Sequence, residues 1–206
     1  MRKSDPAWFW MAGAFGSALI LAAAILVVHG SEFEGLKLGL RMTARWSFLF
    51  FWLSYVGGAM ASLFGPAFAG LARCGRQLGL SFAAAHLVHV GLIVWLGIAS
   101  GQVPLHGWIL WFFLVALFFA YLLTLLSFGA GPRLLGRLWR PLLFLGTSYI
   151  LIAFGRDFVL GALGHEIRDW RYALEYVPFA TLTLTAVVLR FAAFLQRRLP
   201  LRPAAA

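Results

Sequence analysis

Two histidines, His86 and His89, stand inside the apolar stretch "GRQLGLSFAAAHLVHVG" from Gly75 to Gly91. Three residues apart on a helix, they are separated by roughly 60° and share one face. With Leu78 as the boundary of the span, His89 lies about 16 Å along the axis, near the middle of a bilayer. An imidazole at that depth can ligate haem iron through one nitrogen while the other donates to a backbone carbonyl or a hydroxyl. The pair cannot grip one iron from opposite sides, because both rings leave the same side of one helix. The other reading of these residues is structural: buried histidines that hydrogen-bond a neighbouring helix, a common use of polar side chains in membrane bundles.

Other candidate residues carry less chemistry. Cys74 is the only cysteine, so it forms no intramolecular disulfide and builds no thiolate metal or iron–sulfur site by itself. His29 and His106 fall at outer helix ends and read as interfacial. His165 has Glu166 and Asp169 nearby in "GHEIRDW", but the spacing matches no zinc motif and reads as a solvated loop. The glycines of "GAGPRLLG" follow no predicted strand, and the chain has no Rossmann fingerprint or P-loop, so it has no nucleotide site of its own. Interiors of the first, second and fourth apolar runs hold no acid, base or histidine. That disfavours a carboxylate relay, and no matched pair of broken helices supports secondary transport.

The elements that must position the histidines follow from composition. With 62% hydrophobic residues, 12% charged and a mean hydropathy of +0.87, the chain lies far from soluble composition and reads as an integral membrane protein. Apolar runs of about 20 residues, enough to cross roughly 30 Å of hydrocarbon, are found at 7–28, 46–66, 78–100, 107–128, 141–160 and 173–195. No ten-residue alternation suggests a barrel, so the expected fold is all-α, a six-helix membrane bundle in a single domain over 1–206. The first run reads as a retained anchor rather than a removable signal peptide.

Basic residues set the expected topology. A cytoplasmic N-terminus places Arg2, Lys3, Arg73, Arg76, Arg133, Arg137, Arg140, Arg190, Arg197, Arg198 and Arg202 inside. Only Lys37, Arg41, Arg45, Arg156, Arg168 and Arg171 fall outside. This positive-inside bias predicts both termini in the cytoplasm and a multi-pass protein of a cell inner membrane. The positive residues flank spans instead of forming a soluble basic face, so the lipid bilayer and not nucleic acid is the partner implied.

Along the chain, His29–Arg45 ("HGSEFEGLKLGLRMTAR") reads as an outer loop, with "LKLGLRM" able to lie at the interface. The second span ends at "FGP". Glycine and proline in "SFGAGPRLLGRLWRP" break the fourth helix before arginines at helical spacing restart a helix on the inner surface. Residues 156–172 read as a partly helical outer loop, and 199–206 as a disordered tail.

The stretch "RQLGLSFAAAHLVH" resembles the third-helix pattern of the ferric reductase-like transmembrane domain family: Arg76, Leu78, Gly79 and Leu80 fit, and His89 stands ten residues after Gly79. "RMTARWSFLFFWLSYVGG" is similar to that family's second-helix opening, and "LSFGAGPRLLGRLWRPLLFLGTSYILIAF" to its fifth-helix region, so the resemblance covers about residues 41–160. The family includes eukaryotic ferric reductases, NADPH oxidases and a bacterial haem-binding subunit that feeds electrons to periplasmic methionine sulfoxide reductase. What the resemblance implies is haem b at His89, with His86 as its neighbour, and transmembrane electron transfer by an oxidoreductase membrane subunit. The donor would be a cytoplasmic flavoprotein or a membrane quinol, and the acceptor would lie on the outer side. At the family's fifth-helix histidine position this chain has Leu143, which leaves the opposite axial position open or filled by a partner such as Met60. The alternative from a different class is a non-redox structural or assembly subunit of a larger membrane complex that has lost haem binding.

Overall fold

The computed structural model describes residues 7–102, 105–128, 131–164 and 173–199. Regular structure among them is helical throughout: α1 (Ala7–His29), α2 (Phe33–Phe64), a 3-10 turn (Gly65–Phe68), α3 (Ala69–Arg73), α4 (Gly75–Ser100), α5 (Gly107–Ser127), α6 (Gly131–Leu135), a second 3-10 turn (Gly136–Leu138), α7 (Trp139–Ala162) and α8 (Val177–Arg198). Six of these stretches are long and apolar enough to cross a membrane, as expected of a multi-pass membrane protein. Large apolar side chains such as Phe9, Ile20, Val27, Ile98, Trp111 and Leu125 remain exposed. In water such a surface would be costly, but against acyl chains it is the solvated face.

One expectation needs correction. The stretch read as an outer loop over His29–Arg45 is mostly helix, because α2 begins at Phe33 and only a tight turn around Gly30 (φ 82) separates it from α1. Its charged residues do not end the helix. Glu34 sits in the first turn, where the helix dipole favours an acid, and pairs with Lys37 at 3.5 Å. Leu36 on the same segment is fully buried. Arg45 is therefore not in a solvated loop but 6% exposed on α2. Likewise α7 continues as helix through Ala162, into the segment read as an outer loop from 156. The remainder of that loop from His165, together with tail residues 200–206, lies outside the described residues. The break at "FGP" is where the sequence put it: α2 stops at Phe64, Gly65 takes φ 80, and Pro66 opens the 3-10 turn.

The chain forms two compact units: Met1–Phe51 with Arg76–Phe154, and Trp52–Gly75 with Gly155–Ala206. In the first, Ala14, Ala18 and Ala22 recur every fourth residue and put a small-residue seam on one face of α1. Against that seam pack Leu36 of α2 and Ala85, Val88, Leu92 and Leu96 of α4. Lipid offers little hydrophobic drive for helix association, so close approach through small residues and interhelical hydrogen bonds replaces it. Here the bond is from the Trp46 indole to the Ser17 hydroxyl at 3.0 Å. On α7, a Cβ on Gly146 would meet Leu123 and Phe119 of α5 at 2.9 and 3.0 Å, so this glycine permits the close α5–α7 contact.

The second unit uses backbone carbonyls as anchors. The Trp52 indole donates to the Leu182 carbonyl at 2.6 Å. Arg190 lays its guanidinium over the Tyr55 ring at 4.3 Å and donates to the Tyr55 carbonyl at 3.3 Å. A cation within reach of an aromatic face and a carbonyl is cheaper to hold in a helix of this kind than a bare one.

If the alanine seam sets the α1 packing distance, Ala18→Leu should lower stability by about 1–3 kcal/mol through overpacking. Leu19→Ala, at a residue half exposed to lipid, should change it by far less. Thermal unfolding of the purified protein in detergent checks both.

Candidate functional site

α4 is the most enclosed of the long helices in its middle: Leu80 to Ala85 are buried in unbroken succession. His86 and His89 follow directly, and their rings stack with centroids 5.0 Å apart at 27°. Both turn the same nitrogen toward α2, and α2 supplies a different acceptor for each.

The Leu40 carbonyl lies 3.0 Å from His89 Nδ1. A carbonyl only accepts, so Nδ1 carries the hydrogen and Nε2 keeps its lone pair. The Thr43 hydroxyl, 3.4 Å away, is a weaker second contact, and its own hydrogen goes back to the Gly39 carbonyl at 2.8 Å. His86 Nδ1 meets the Ser47 hydroxyl at 3.2 Å. Ser47 donates its single hydrogen to the Ala44 carbonyl at 2.9 Å, so its oxygen is left to accept from His86 Nδ1. Both rings are thereby fixed with Nδ1–H toward α2, and no described residue hydrogen-bonds either Nε2. Holding one ring nitrogen by a carbonyl or hydroxyl, and leaving the other as a free lone pair, is the arrangement that orients histidines toward a metal.

Leu40, Thr43 and Ser47 were not singled out by the sequence reading. The signal existed: positions 40, 43 and 47 repeat at helical spacing and align on one face. It is readable only once α2 is known to begin before them.

Around His86 the site is aromatic. Phe82, one turn earlier on α4, has its ring 5.3 Å away, and Phe154 of α7 stands edge-on at 5.7 Å. Phe48 and Phe51 complete the cluster through ring contacts of 5.2 Å with Phe154 and Phe82 respectively. Phe154, not Leu143, is thus the α7 residue packed beside the pair. Leu143 lies eleven residues earlier, roughly 16 Å along α7, so its side chain is not what faces the histidines. Met60 lies on the same helix as Thr43, 17 residues further along, in the second compact unit.

His29 ends α1 and His106 precedes α5, and His165 lies outside the described residues. Among the described residues no group of three or more His, Cys, Asp or Glu gathers as a metal site. Cys74 caps α3 as a partly buried free thiol.

The hydrogen-bonding pattern has a direct spectroscopic consequence. Nitrogen NMR of histidine-labelled protein should show both rings in the Nδ1–H form, assigned by loss of one signal in His86→Gln and the other in His89→Gln. An Nε2–H ring would contradict the geometry. Ser47→Ala removes the His86 acceptor and should cost roughly 1–2 kcal/mol in thermal unfolding. No protein-family model, curated protein or solved structure matches the chain, so the ferric reductase-like resemblance rests on the quoted motifs alone.

Proposed function

We propose that this is a multi-pass protein of a cell inner membrane, with both termini cytoplasmic, that binds haem b at His89 and serves transmembrane electron transfer. The single observation that carries the reading is the Leu40 carbonyl at 3.0 Å from His89 Nδ1, which leaves Nε2 as an unshared ligand nitrogen deep in an apolar span. The topology is supported by the eleven Lys and Arg assigned to one side. Of these, Arg133, Arg137 and Arg140 are exposed on the α6–α7 connection.

His89 is the residue that would hold the group, and α7 offers no ligand beside it, since Phe154 stands there. A bound haem would supply a one-electron carrier between the two faces of the membrane. The chain's own residues do the rest: Leu40 and Ser47 fix the rings, Phe82 and Phe154 limit their rotation, and the surrounding apolar helices keep bulk water from the nitrogens. Electrons would enter from a cytoplasmic flavoprotein or a quinol and leave to an acceptor on the outer side.

A second reading has its own support. The same two hydrogen bonds join α4 to α2 at a depth where a polar bond holds helices together, and four phenylalanine rings pack the pair's surroundings. On that reading the chain is a structural or assembly subunit of a larger membrane complex.

A reduced-minus-oxidised spectrum of protein purified from haem-replete cells separates the two. The haem reading expects a stoichiometric b-type signal that His89→Ala abolishes and His86→Ala retains. Folded protein without haem overturns it, and loss in His86→Ala alone moves the ligand to His86.

A further inference from the structure

The connection between α5 and α7 gathers cations without supplying an anion. Arg133, Arg137 and Arg140 stand within eight residues, all exposed, and among the described residues no hydrogen bond, ion pair or ring contact holds any of them. Several cations elsewhere find partners within the chain: Lys37 on Glu34, Arg156 on Asp157, and Arg190 on the ring and carbonyl of Tyr55. Here no acid is close in sequence, because no Asp or Glu occurs between Glu34 and Asp157. Like charges a turn apart repel. Position adds to that cost: Arg140 stands in the first turn of α7, which has no acid, where the helix dipole disfavours a cation.

The same segment is held where a membrane surface would be. The helices on either side, α5 and α7, belong to stretches long and apolar enough to span, and only residues 128–138 separate them. α6 folds back on the last turn of α5: Gly131 is buried, and a Cβ there would meet the Cβ of Leu126 at 2.8 Å. Leu134 and Leu138, each directly after an arginine, are 75% and 67% exposed. Outward leucines beside guanidiniums suit the interface of a bilayer, where the apolar side chain reaches acyl chains and the cation reaches phosphate. A solvated acidic segment would meet the charge but not the leucines.

We propose that this connection is a docking surface for anionic phospholipids of the adjoining leaflet, with Arg133, Arg137 and Arg140 on phosphate oxygens and Leu134 and Leu138 among the acyl chains. Guanidinium groups present paired N–H donors that match phosphate oxygens, so arginine suits this contact. The bound headgroups supply the negative charge that the chain lacks at the start of α7. The site stands whether or not the histidine pair holds haem.

Native mass spectrometry of the full-length protein in detergent, titrated with phosphatidylglycerol or with phosphatidylcholine of the same acyl chains, reads the binding directly. A basic residue beside an anionic lipid surface contributes about fivefold in affinity, so phosphatidylglycerol should bind at least about tenfold more tightly than phosphatidylcholine. The triple variant Arg133→Gln, Arg137→Gln, Arg140→Gln should lower that ratio at least about fivefold. A control triple, Arg73→Gln, Arg197→Gln, Arg198→Gln, removes the same charge from other exposed positions and should lower it less than about twofold. Equal binding of the two lipids, as expected if an acidic protein were the true occupant, overturns the proposal. So does a preference that survives the first triple, or one that both triples lower equally. Should the first triple not keep the parent's thermal unfolding midpoint, Arg137→Gln against Arg197→Gln decides by the same comparison.

Discussion

A hydrogen-bond donor in the hydrocarbon layer must find an acceptor inside the protein, since no water is there to serve. Two imidazole N–H groups on α4 meet that constraint on α2, at the Leu40 carbonyl and the Ser47 hydroxyl. The rest of the first unit is consistent with that choice. It demands that α2 be helical from well before Leu40, that α4 lie along it in antiparallel sense, and that the register match His89 to Leu40 and His86 to Ser47. The Phe51–Phe82 contact continues the same register one step further along both helices.

Close packing around this axis comes from residues that look unremarkable in sequence. Alanines every fourth residue on α1 let it approach α2 and α4, and Gly146 lets α7 approach α5. A small residue contributes little contact area of its own, but in lipid the gain is the backbone proximity it allows and the interhelical bonds that proximity makes possible. Trp46 to Ser17 is such a bond. Large apolar side chains on the outward faces carry no comparable positional information, because any of them suits an acyl chain.

Much of the architecture was legible because membrane spanning is written in composition and run length. Helical class, the six long apolar helices and the break at Gly65–Pro66 follow from hydropathy and from glycine and proline chemistry. The start of α2 was not legible. Hydropathy windows end where charge begins, whereas a helix ends only where its backbone bonds lose their partners, and Glu34, Lys37, Arg41 and Arg45 ride on a helix that continues beneath them. That one boundary hid the acceptors. With Leu40 and Thr43 assigned to a loop, no helical face existed on which to align them with Ser47. The histidine pair itself was visible, because an imidazole in an apolar run is costly enough to require a reason.

Spacing along a chain does not give depth across a bundle, and the fifth-helix position shows why. Aligning by motif places the expected partner of His89 at Leu143, but the ring beside the pair belongs to Phe154, about 16 Å further along α7. A histidine introduced at 143 would stand about three helical turns from the level of the pair. A further histidine at the level of the pair would have to replace Phe154 or a neighbouring ring, and those rings pack on each other as well as on His86. At the level of the pair α7 therefore offers an apolar ring, and the polar partners of both histidines come from α2 alone.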